Sequence, residues 1–516
     1  MNDNKISKNS IVAKFAVPIS FLILFFLAAN FTDCDLVTFW KRRSHLTDLV
    51  VDMIPPDFSY IQKILLPLFY TIQMSVTGTV LGIFFALVLS PFGAANLGFP
   101  AVIRRILRIV IQILRSFPAL ILALTATFLF GLGTFAGTFA ITLYTFAIMT
   151  KLTYEDASAA DVKAYQALRA MGVSKYVAYI HGILPEIIPG FLTNALYLLE
   201  TNVRHSSILG YVGAGGIGLL LNEKISWLEY DKVGTILLML FLTVCVIEYF
   251  SRYLAALIRK ERTIKKEQAR LLLLFLAALF LICTFTLSLP DFSRTSPQTL
   301  RNMFAGFLQP DWSFFFSAEK DGLGYLLLET VCIAFIGTVI GAIVSAPLAF
   351  LNTKRFVPAP VSFLFNLVIM VIRSVPFLVY GLIFIRVSGP GAFTGVLTLA
   401  VCSIGLLTKR FTEALDALDP RPYHALLAMG VCPLPAICHS VLPQLKPVFT
   451  SIILYRFDVN IREASVLGLV GAGGIGAPLI FSMNQYAWEK AGAIMLGLIL
   501  FVWFIDMVSE KIGAGN

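Results

Sequence analysis

Two groups of polar and ionisable residues lie within apolar stretches of the chain, and each group occurs twice. In the first group an arginine precedes a Ser-x-Pro sequence, at Arg115 and at Arg373. The second group combines an acid, an asparagine and an arginine at alternate positions. Its two copies are Glu200, Asn202, Arg204 and Asp458, Asn460, Arg462. An ionisable side chain is costly to place in lipid, so these residues are candidates for a functional role.

The chemistry that such arginines offer is recognition of an anion. A guanidinium presents a rigid fork of N–H donors that matches phosphate-like oxyanions. If the duplicated arginines face a shared axis, with Asn202 and Asn460 beside them, they would line an electropositive path. The structural alternative, that each arginine pairs with a nearby acid or reaches the membrane surface, stays open. Arg115 and Arg373 each lie about eleven residues, or about 16 Å of helix, beyond a cytoplasmic boundary, which favours a role in the path.

These residues belong to a duplication of the whole chain. Residues 151–218 match residues 409–476 without a gap, and 31 of the 68 positions are identical. The offset of 258 is half of the 516-residue length. The sequence therefore predicts two equivalent halves around a pseudo-two-fold axis.

The composition is that of a membrane protein. Hydrophobic residues make up 58% of the chain and charged residues 14%, whereas a soluble chain carries about 25% charged residues. Apolar runs near the length of about 20 residues that crosses a bilayer recur throughout. No alternating barrel pattern is seen, so the spans are predicted to be helices with internally satisfied backbones. We expect an all-α polytopic membrane protein.

About twelve membrane-spanning helices are expected, as two parallel six-helix repeats. They are residues 12–30, 67–91, 103–131, 133–150, 187–209 and 233–257, then 271–290, 325–351, 361–387, 391–408, 446–468 and 491–508. The first repeat is assigned to residues 1–260, with a core at about 67–257, and the second to residues 261–516, with a core at about 325–508. An even number of spans per repeat places both copies of each loop on the same side of the membrane.

Charge gives the orientation. Lys and Arg cluster in connecting segments on one side, which predicts that this side, with both termini, is cytoplasmic in a bacterial plasma membrane. The same rule explains the net charge of +10 without a nucleic-acid partner. The seven cysteines form no CxxC pair, so neither a disulfide nor a metal site is predicted.

Residues 152–185 and 410–443 are the longest polar breaks on the predicted cytoplasmic side. Each has a helix-forming stretch, then a glycine that fits a helix end, then Leu-Pro where the next span starts. The sequence predicts that each of these loops contains a short helix at the cytoplasmic surface that docks a partner. Prolines 420, 422, 433 and 435 occur only in the second copy, which suggests the hypothesis that coupling is asymmetric.

Two glycine-rich segments at the predicted outer face match the pattern G-x-G-x-x-G. Their glycines are Gly213, Gly215, Gly216, Gly218 and Gly471, Gly473, Gly474, Gly476. The pattern indicates dinucleotide binding only after a strand, within a βαβ unit. Neither is predicted here, so a tight packing turn is favoured. No P-loop pattern is present, so any ATP and Mg²⁺ would be bound by another polypeptide.

The polar loops resemble the cytoplasmic loop of ABC-importer permeases, which has the form EAA-x3-G-x9-I-x-LP. The matching residues are Gln166, Ala167, Gly172, Leu184, Pro185 and His424, Ala425, Gly430, Leu442, Pro443. The spacing is kept, while the leading Glu is replaced by Gln in the first loop and by His in the second. The resemblance implies a coupling helix that seats in an ATPase subunit, and the replacements put in doubt any ion pair formed by that Glu.

A narrower resemblance, to phosphonate-type permeases, covers most of each half. It is carried by residues 458–476, by the Arg-Ser-Val-Pro sequence at 373–376 and, more loosely, by residues 200–218. It implies two permeases fused in tandem that take up phosphonate, phosphite or phosphate. The implied partners are two copies of an ABC ATPase and an extracytoplasmic binding protein, with no cofactor bound by this chain. A permease for methionine or another small nutrient is the alternative within this class.

Two other classes of membrane protein fit the sequence less well. An ion-coupled secondary transporter also uses repeats, but it needs no ATPase-coupling loop. A membrane-embedded enzyme would need His, Asp and Glu clustered at one interface, and the sequence shows no such cluster. We therefore expect no catalytic residue in the chain.

Overall fold

The computed structural model of the protein describes residues 19–258, 266–288, 290, 297–317, 319 and 322–514. These residues form helices and turns, with no strand among them, as expected for an all-α fold. The helices up to residue 258 are α1 (Ile19–Phe31), α2 (Leu36–Lys41), α3 (Arg43–Asp52), α4 (Ile61–Gly93), α5 (Ala101–Ser116), α6 (Ala119–Phe130), α7 (Thr134–Ala159), α8 (Lys163–Ala170), α9 (Lys175–Gly182), α10 (Leu184–Leu209), α11 (Ile217–Ser226) and α12 (Tyr230–Ile258). The later helices are α13 (Lys266–Phe285), α14 (Pro297–Leu308), α15 (Trp312–Phe315), α16 (Leu323–Asn352), α17 (Ala359–Ser374), α18 (Phe377–Ser388), α19 (Ala392–Ala417), α20 (Arg421–Ala428), α21 (Pro433–Ala436), α22 (Leu442–Leu467), α23 (Gly476–Asn484) and α24 (Trp488–Ala514).

Each of the twelve expected spans coincides with helical structure. Within the described ranges, seven helices are long and apolar enough to cross a membrane, three further spans are bent helix pairs, and two are shorter apolar helices. The multi-span architecture is therefore confirmed. Residues 12–18 and 289, which belong to two of the expected spans, and both chain termini lie outside the described residues.

Two expected spans are not single helices. Residues 103–131 divide into α5 and α6, which meet at 95°, and residues 361–387 divide into α17 and α18, which meet at 87°. Both breaks lie at the x-Pro residues of the Arg-Ser-x-Pro sequence. Proline restricts the residue before it to extended backbone, and Phe117, which precedes Pro118, has φ −89° and ψ 128°. Each of these expected spans is therefore a bent pair of helices.

The described residues divide into two compact units. The first-repeat unit consists of the described parts of 49–305 with 374–376, and the second-repeat unit of those of 1–48, 306–373 and 377–516. The early helix α1 thus belongs to the second-repeat unit, where the rings of Phe31 and Tyr325 lie 4.9 Å apart. In the first-repeat unit Gln73 of α4 donates to the Cys283 carbonyl of α13, at 3.0 Å. The sequence repeats at 1–260 and 261–516 stay a prediction, and the compact units exchange the first helix of each.

Glycines allow the closest helix packing in each unit. A Cβ on Gly78 of α4 would lie 2.8 Å from Ile141 Cβ of α7, and one on Gly337 of α16 would lie 2.7 Å from Leu399 Cβ of α19. Such distances are shorter than side chains tolerate, so the small residues permit the backbones of α4–α7 and α16–α19 to approach. The helices α10 and α22 pack on the resulting pairs.

Candidate functional site

The duplicated asparagines tie three helices together in each unit. Asn202 is fully buried on α10, and its amide nitrogen donates to Thr79 Oγ1 of α4 at 2.8 Å and to Thr145 Oγ1 of α7 at 2.7 Å. Asn460 on α22 donates in the same way to Thr338 Oγ1 of α16 and to Ser403 Oγ of α19. 

The amide oxygen is buried and has no hydrogen-bond partner in either copy, as far as the structure is described. The asparagines therefore hold each bundle together by their nitrogens. Contact of Asn202 and Asn460 with a transported anion stays a prediction.

The duplicated arginines form ion pairs one helical turn along their own helices. Arg204 Nη2 lies 3.2 Å from Glu200 Oε1, with the two side chains 12% and 7% exposed. Arg462 pairs with Asp458 in the same register. Because an unpaired buried charge is strongly destabilising, each acid stabilises its arginine in place. This arrangement matches the structural alternative, in which each arginine pairs with a nearby acid. A role of Arg204 and Arg462 in a translocation path stays a prediction.

The second-repeat unit holds a further ion pair that sequence reasoning missed. Arg456 of α22 is 5% exposed, and its Nη2 lies 2.7 Å from Glu463 Oε2, two helical turns further on. Its Nε donates to Ser403 Oγ, the same hydroxyl that binds Asn460. The sequence carries one signal for this pair, namely opposite charges seven residues apart in the second copy only, where the first copy has Leu198 and His205.

Arg115 and Arg373 occupy the last turns of α5 and α17, next to the two helix breaks. A cation is favoured there because the carbonyl end of a helix carries partial negative charge. Arg373 also packs on α19, since a Cβ on Gly405 would lie 2.9 Å from Arg373 Cγ. The two arginines belong to different units, and their contribution to a path stays a prediction.

The outer glycine-rich segments are turns between α10 and α11 and between α22 and α23. In each, a threonine hydroxyl accepts the first N–H of the following helical segment: Thr71 Oγ1 from Ile217 at 2.9 Å, and Thr330 Oγ1 from Ile475 at 3.0 Å. In the second turn Glu329 also accepts from the Gly474 N–H, at 3.1 Å. No strand precedes either segment in the described chain. Both segments are tight turns that pack against a threonine of α4 or of α16, and their role at the outer face stays a prediction.

Each turn also contacts the start of a long helix. The Gly133 N–H, just before α7, donates to the Gly213 carbonyl at 3.0 Å, and the Gly391 N–H, just before α19, donates to the Gly471 carbonyl at 2.9 Å. The turn thus links the ends of α10 and α22 to their neighbours at the predicted outer face.

The structure contains a duplicated aspartate N-cap, at the predicted outer face, that the sequence comparison missed. Asp57 Oδ1 accepts from the N–H and hydroxyl of Ser59, and Asp311 Oδ1 accepts from the same groups of Ser313. The hydrogen bond from the Ser59 hydroxyl, with help from the Ser59 backbone N–H, holds the pKa of Asp57 below its ordinary value, although desolvation opposes the shift. The matching sequences are Pro-Asp-Phe-Ser and Pro-Asp-Trp-Ser, but their offset is 254 rather than 258.

Both loops that are predicted to be cytoplasmic fold into short helices, as expected. In the first, α8 ends at a left-handed Gly172 (φ +84°) and α9 follows; in the second, α20 ends at Gly430 (φ +81°). A glycine closes a helix at this position because it adopts positive φ without strain. Proline in the Leu-Pro pairs lies at the first turns of α10 and α22. Other matched residues of the loops, Gln166, Ala167, His424 and Ala425, are exposed.

The two loops are anchored by different side chains. Tyr165 of α8 is buried, and its hydroxyl donates to the Leu97 carbonyl at 2.6 Å. In the second copy Arg355 donates to the carbonyls of Leu418 and Asp416, at 2.8 and 2.6 Å, near the end of α19. The eight-residue α9 is replaced in the second copy by the four-residue α21 and a π-helical turn at Ile437–Val441. The repeats therefore carry equivalent loops with unequal internal support.

The family comparison follows this duplication. A family model described as the binding-protein-dependent transport system inner membrane component matches residues 78–263 and 337–512, more than half of the chain. The chain belongs to this family. Since the model matches twice, the prediction of two permease units fused in tandem is confirmed, and the protein is a multi-pass permease component of the inner membrane.

Relatives resemble the permease over different lengths. The phosphate-import permease protein PhnE of Mycolicibacterium smegmatis is 27% identical over 90% of this chain and 88% of its own. The ABC transport system permease protein p69 of Mycoplasma pneumoniae is 23% identical over 86% of this chain and 84% of its own. The phosphite transport system permease protein PtxC of Stutzerimonas stutzeri is 36% identical over 36% of this chain and 67% of its own.

Proposed function

We propose that this permease provides the translocation path of an ATP-driven importer for a phosphorus oxyanion, namely phosphonate, phosphite or phosphate. The observation that carries the proposal is the duplicated helical loop, α8–α9 and α20–α21, within a chain that matches the permease family twice. The names of the relatives from M. smegmatis and S. stutzeri support the substrate class.

Exposed apolar tips make the two loops suitable for docking. Met171 and Met429 follow α8 and α20 directly, and each is 70% exposed. Methionine is a flexible apolar side chain that fits irregular partner surfaces. Each loop leads without a long linker into α10 or α22, the helix that carries the Asn-x-Arg segment. A displacement of the loop by an ATPase is therefore transmitted to the polar residues of the same unit.

The partners in this proposal are two ATPase subunits, one per loop, and an extracytoplasmic binding protein at the glycine-rich face. ATP and Mg²⁺ are bound by the ATPases, and the permease carries out no covalent chemistry. When ATP closes the two ATPases, the coupling loops move together and one half rocks against the other, so that the gates alternate. The loops and both termini then lie in the cytoplasm, as the positions of Lys and Arg indicate.

The test is ATP hydrolysis by the reconstituted complex. The permease, its ATPase and its binding protein are placed in proteoliposomes, and the binding protein is loaded in turn with 2-aminoethylphosphonate, phosphite, phosphate or methionine. We expect stimulation by at least one phosphorus oxyanion and none by methionine. Stimulation by methionine alone would keep the importer and refute the substrate class.

A further inference from the structure

The Asn-x-Arg segments of the two repeats differ in what surrounds them. Three positions on or beside α10 and α22 have changed chemistry between the copies. The matched pairs are Leu198 with Arg456, His205 with Glu463, and Tyr211 with Leu469. The same helical framework therefore carries two different sets of polar groups.

In the second repeat the charged groups of α22 pair with one another. Glu463 accepts from Arg456, Arg456 also donates to Ser403, and Asp458 pairs with Arg462. The ion pair brings a carboxylate to the position next to Arg462. An anion that approached this position would meet the negative charge of Glu463, whose positive partner is already engaged.

In the first repeat several polar atoms are buried without a partner. Within the described structure, three of these atoms lie on or just after the last turns of α10: Arg204 Nη1, His205 Nδ1 and Tyr211 Oη. Glu200 lies within ion-pair distance of Nη2 of Arg204 and leaves Nη1 unpaired. Buried polar groups are rarely left unsatisfied, because desolvation without a hydrogen bond is unfavourable.

These groups lie on the last turns of α10 and on the helical turn that follows it. His205 follows Arg204 directly, and its ring centroid is 5.2 Å from that of Tyr144 of α7. Tyr211 comes seven residues after Arg204, in the helical turn that continues α10, and a spacing of seven returns to the same helix face. The guanidinium and the phenol each offer an N–H or O–H donor, and the neutral imidazole offers one ring N–H.

We propose that this end of α10 in the first repeat is a subsite for one tetrahedral phosphorus oxyanion. Arg204 Nη1, the His205 ring N–H and the Tyr211 hydroxyl donate to its oxygens, and the second repeat has no equivalent subsite. The inference rests on the proposed function and adds that the two repeats contact the substrate unequally. The charge-assisted donor is Arg204, while His205 and Tyr211 set the geometry without adding a carboxylate.

The most selective test is Tyr211→Phe in the complete complex, because the substitution removes one oxygen that has no partner in the protein. Loss of a buried hydroxyl that has no partner does not lower stability, so the melting temperature should equal or exceed that of the wild type. A purely structural role predicts unchanged uptake, whereas a donor to the substrate predicts uptake lowered about tenfold, the effect of one hydrogen bond to a charged group. Tyr249→Phe, at a site on α12 that is 75% exposed, is the matched control and should transport like the wild type.

A second variant transfers the polar groups of the second repeat to the first. Leu198→Arg with His205→Glu recreates the ion pair of α22 on α10, so the fold has a precedent within the same chain. We expect normal assembly and loss of oxyanion uptake, because the subsite then has a second carboxylate beside Glu200 and has lost the His205 ring N–H. Wild-type uptake by this variant, or by Tyr211→Phe, would overturn the subsite. Failure of the wild-type complex to take up any phosphorus oxyanion would instead refute the proposed function on which it rests.

Discussion

Replacing Arg456 alone is expected to destabilise the permease far more than replacing Arg456 and Glu463 together. The first repeat supplies the substitutions, because it carries Leu198 and His205 at the matched positions. The test set is therefore Arg456→Leu, Glu463→His and the double variant. Both side chains are largely withdrawn from solvent, at 6% and 18% exposure.

The magnitude follows from this burial. Removing one partner of a buried ion pair leaves an uncompensated charge and costs about 3–5 kcal/mol, whereas replacing both is close to neutral. A unit of this size loses about 2 °C of melting temperature per kcal/mol. We expect Arg456→Leu to melt about 6–10 °C below the wild type, and the double variant to melt within about 2 °C of it.

The assay is the melting temperature of the purified permease in detergent, read as a double-mutant cycle. Arg410→Gln is the control, because its partner Glu413 and Arg410 itself are about half exposed, at 48% and 47%, and exposed pairs contribute about 0–1 kcal/mol. A single Arg456 variant that melts like the wild type, or a double variant whose loss equals the sum of the single losses, would refute the reasoning.

Three other predictions concern the duplicated elements. Gly172→Ala and Gly430→Ala each force a side chain into left-handed backbone, at a cost of about 1–2 kcal/mol. We expect Gly172→Ala to lower ATP turnover more than Gly430→Ala, because the first loop packs through α9 and the second through a π-helical turn. Equal losses of ATP turnover would contradict asymmetric coupling. Thr71→Val removes the hydroxyl that accepts the Ile217 N–H, so the rate of hydrogen exchange at residues 213–218 should rise. Thr330→Val should raise the rate at residues 471–476 by less, because Glu329 still accepts from the Gly474 N–H. Equal increases would show that Glu329 does not hold the turn. Because the pKa of Asp57 is lowered in the folded state, its cap stabilises the fold above the unfolded-state pKa of 3.8, and this stabilisation is lost as the pH falls through the lower folded-state pKa. Hydrogen exchange at residues 58–60 should therefore rise in acid in the wild type. In Asp57→Asn the acid-dependent increase should disappear.

The repeat, the spans and the cytoplasmic loops could be predicted from the sequence because each has a local signal. Apolar runs predict helices, and Gly172 with Leu184-Pro185 marks where a short helix ends and a span begins. The close packing at Gly78 and Gly337 could also be predicted, since small residues at helical spacing indicate tight contact between helices.

Other features depend on information that the sequence does not hold locally. The exchange of α1 and α13 between units is a matter of tertiary contact between distant segments. The breaks after Arg115 and Arg373 have a signal in Pro118 and Pro376, but an apolar run on both sides of each proline conceals it. The capping residues Asp57 and Asp311 were missed because their offset differs from that of the main duplication.

For the candidate site, the sequence identified the duplicated residues but not their partners. It left open whether Arg204 and Arg462 pair with acids, and the structure shows both pairs. For the Arg456–Glu463 pair it gave one signal, the opposite charges seven residues apart, and it gave none for the unpartnered atoms of His205 and Tyr211 in the first copy. That difference comes from side-chain geometry, which a comparison of identical positions overlooks.

The central claim is that the permease moves a phosphorus oxyanion inward at the expense of ATP. The most direct measurement is accumulation of radiolabelled 2-aminoethylphosphonate, phosphite or phosphate inside proteoliposomes that contain the permease and its ATPase, with the binding protein on the outer face. We expect accumulation of at least one of these anions that requires internal ATP and is absent from Arg204→Ala/Arg462→Ala vesicles. Accumulation of methionine alone, or of an anion without ATP, would contradict the account.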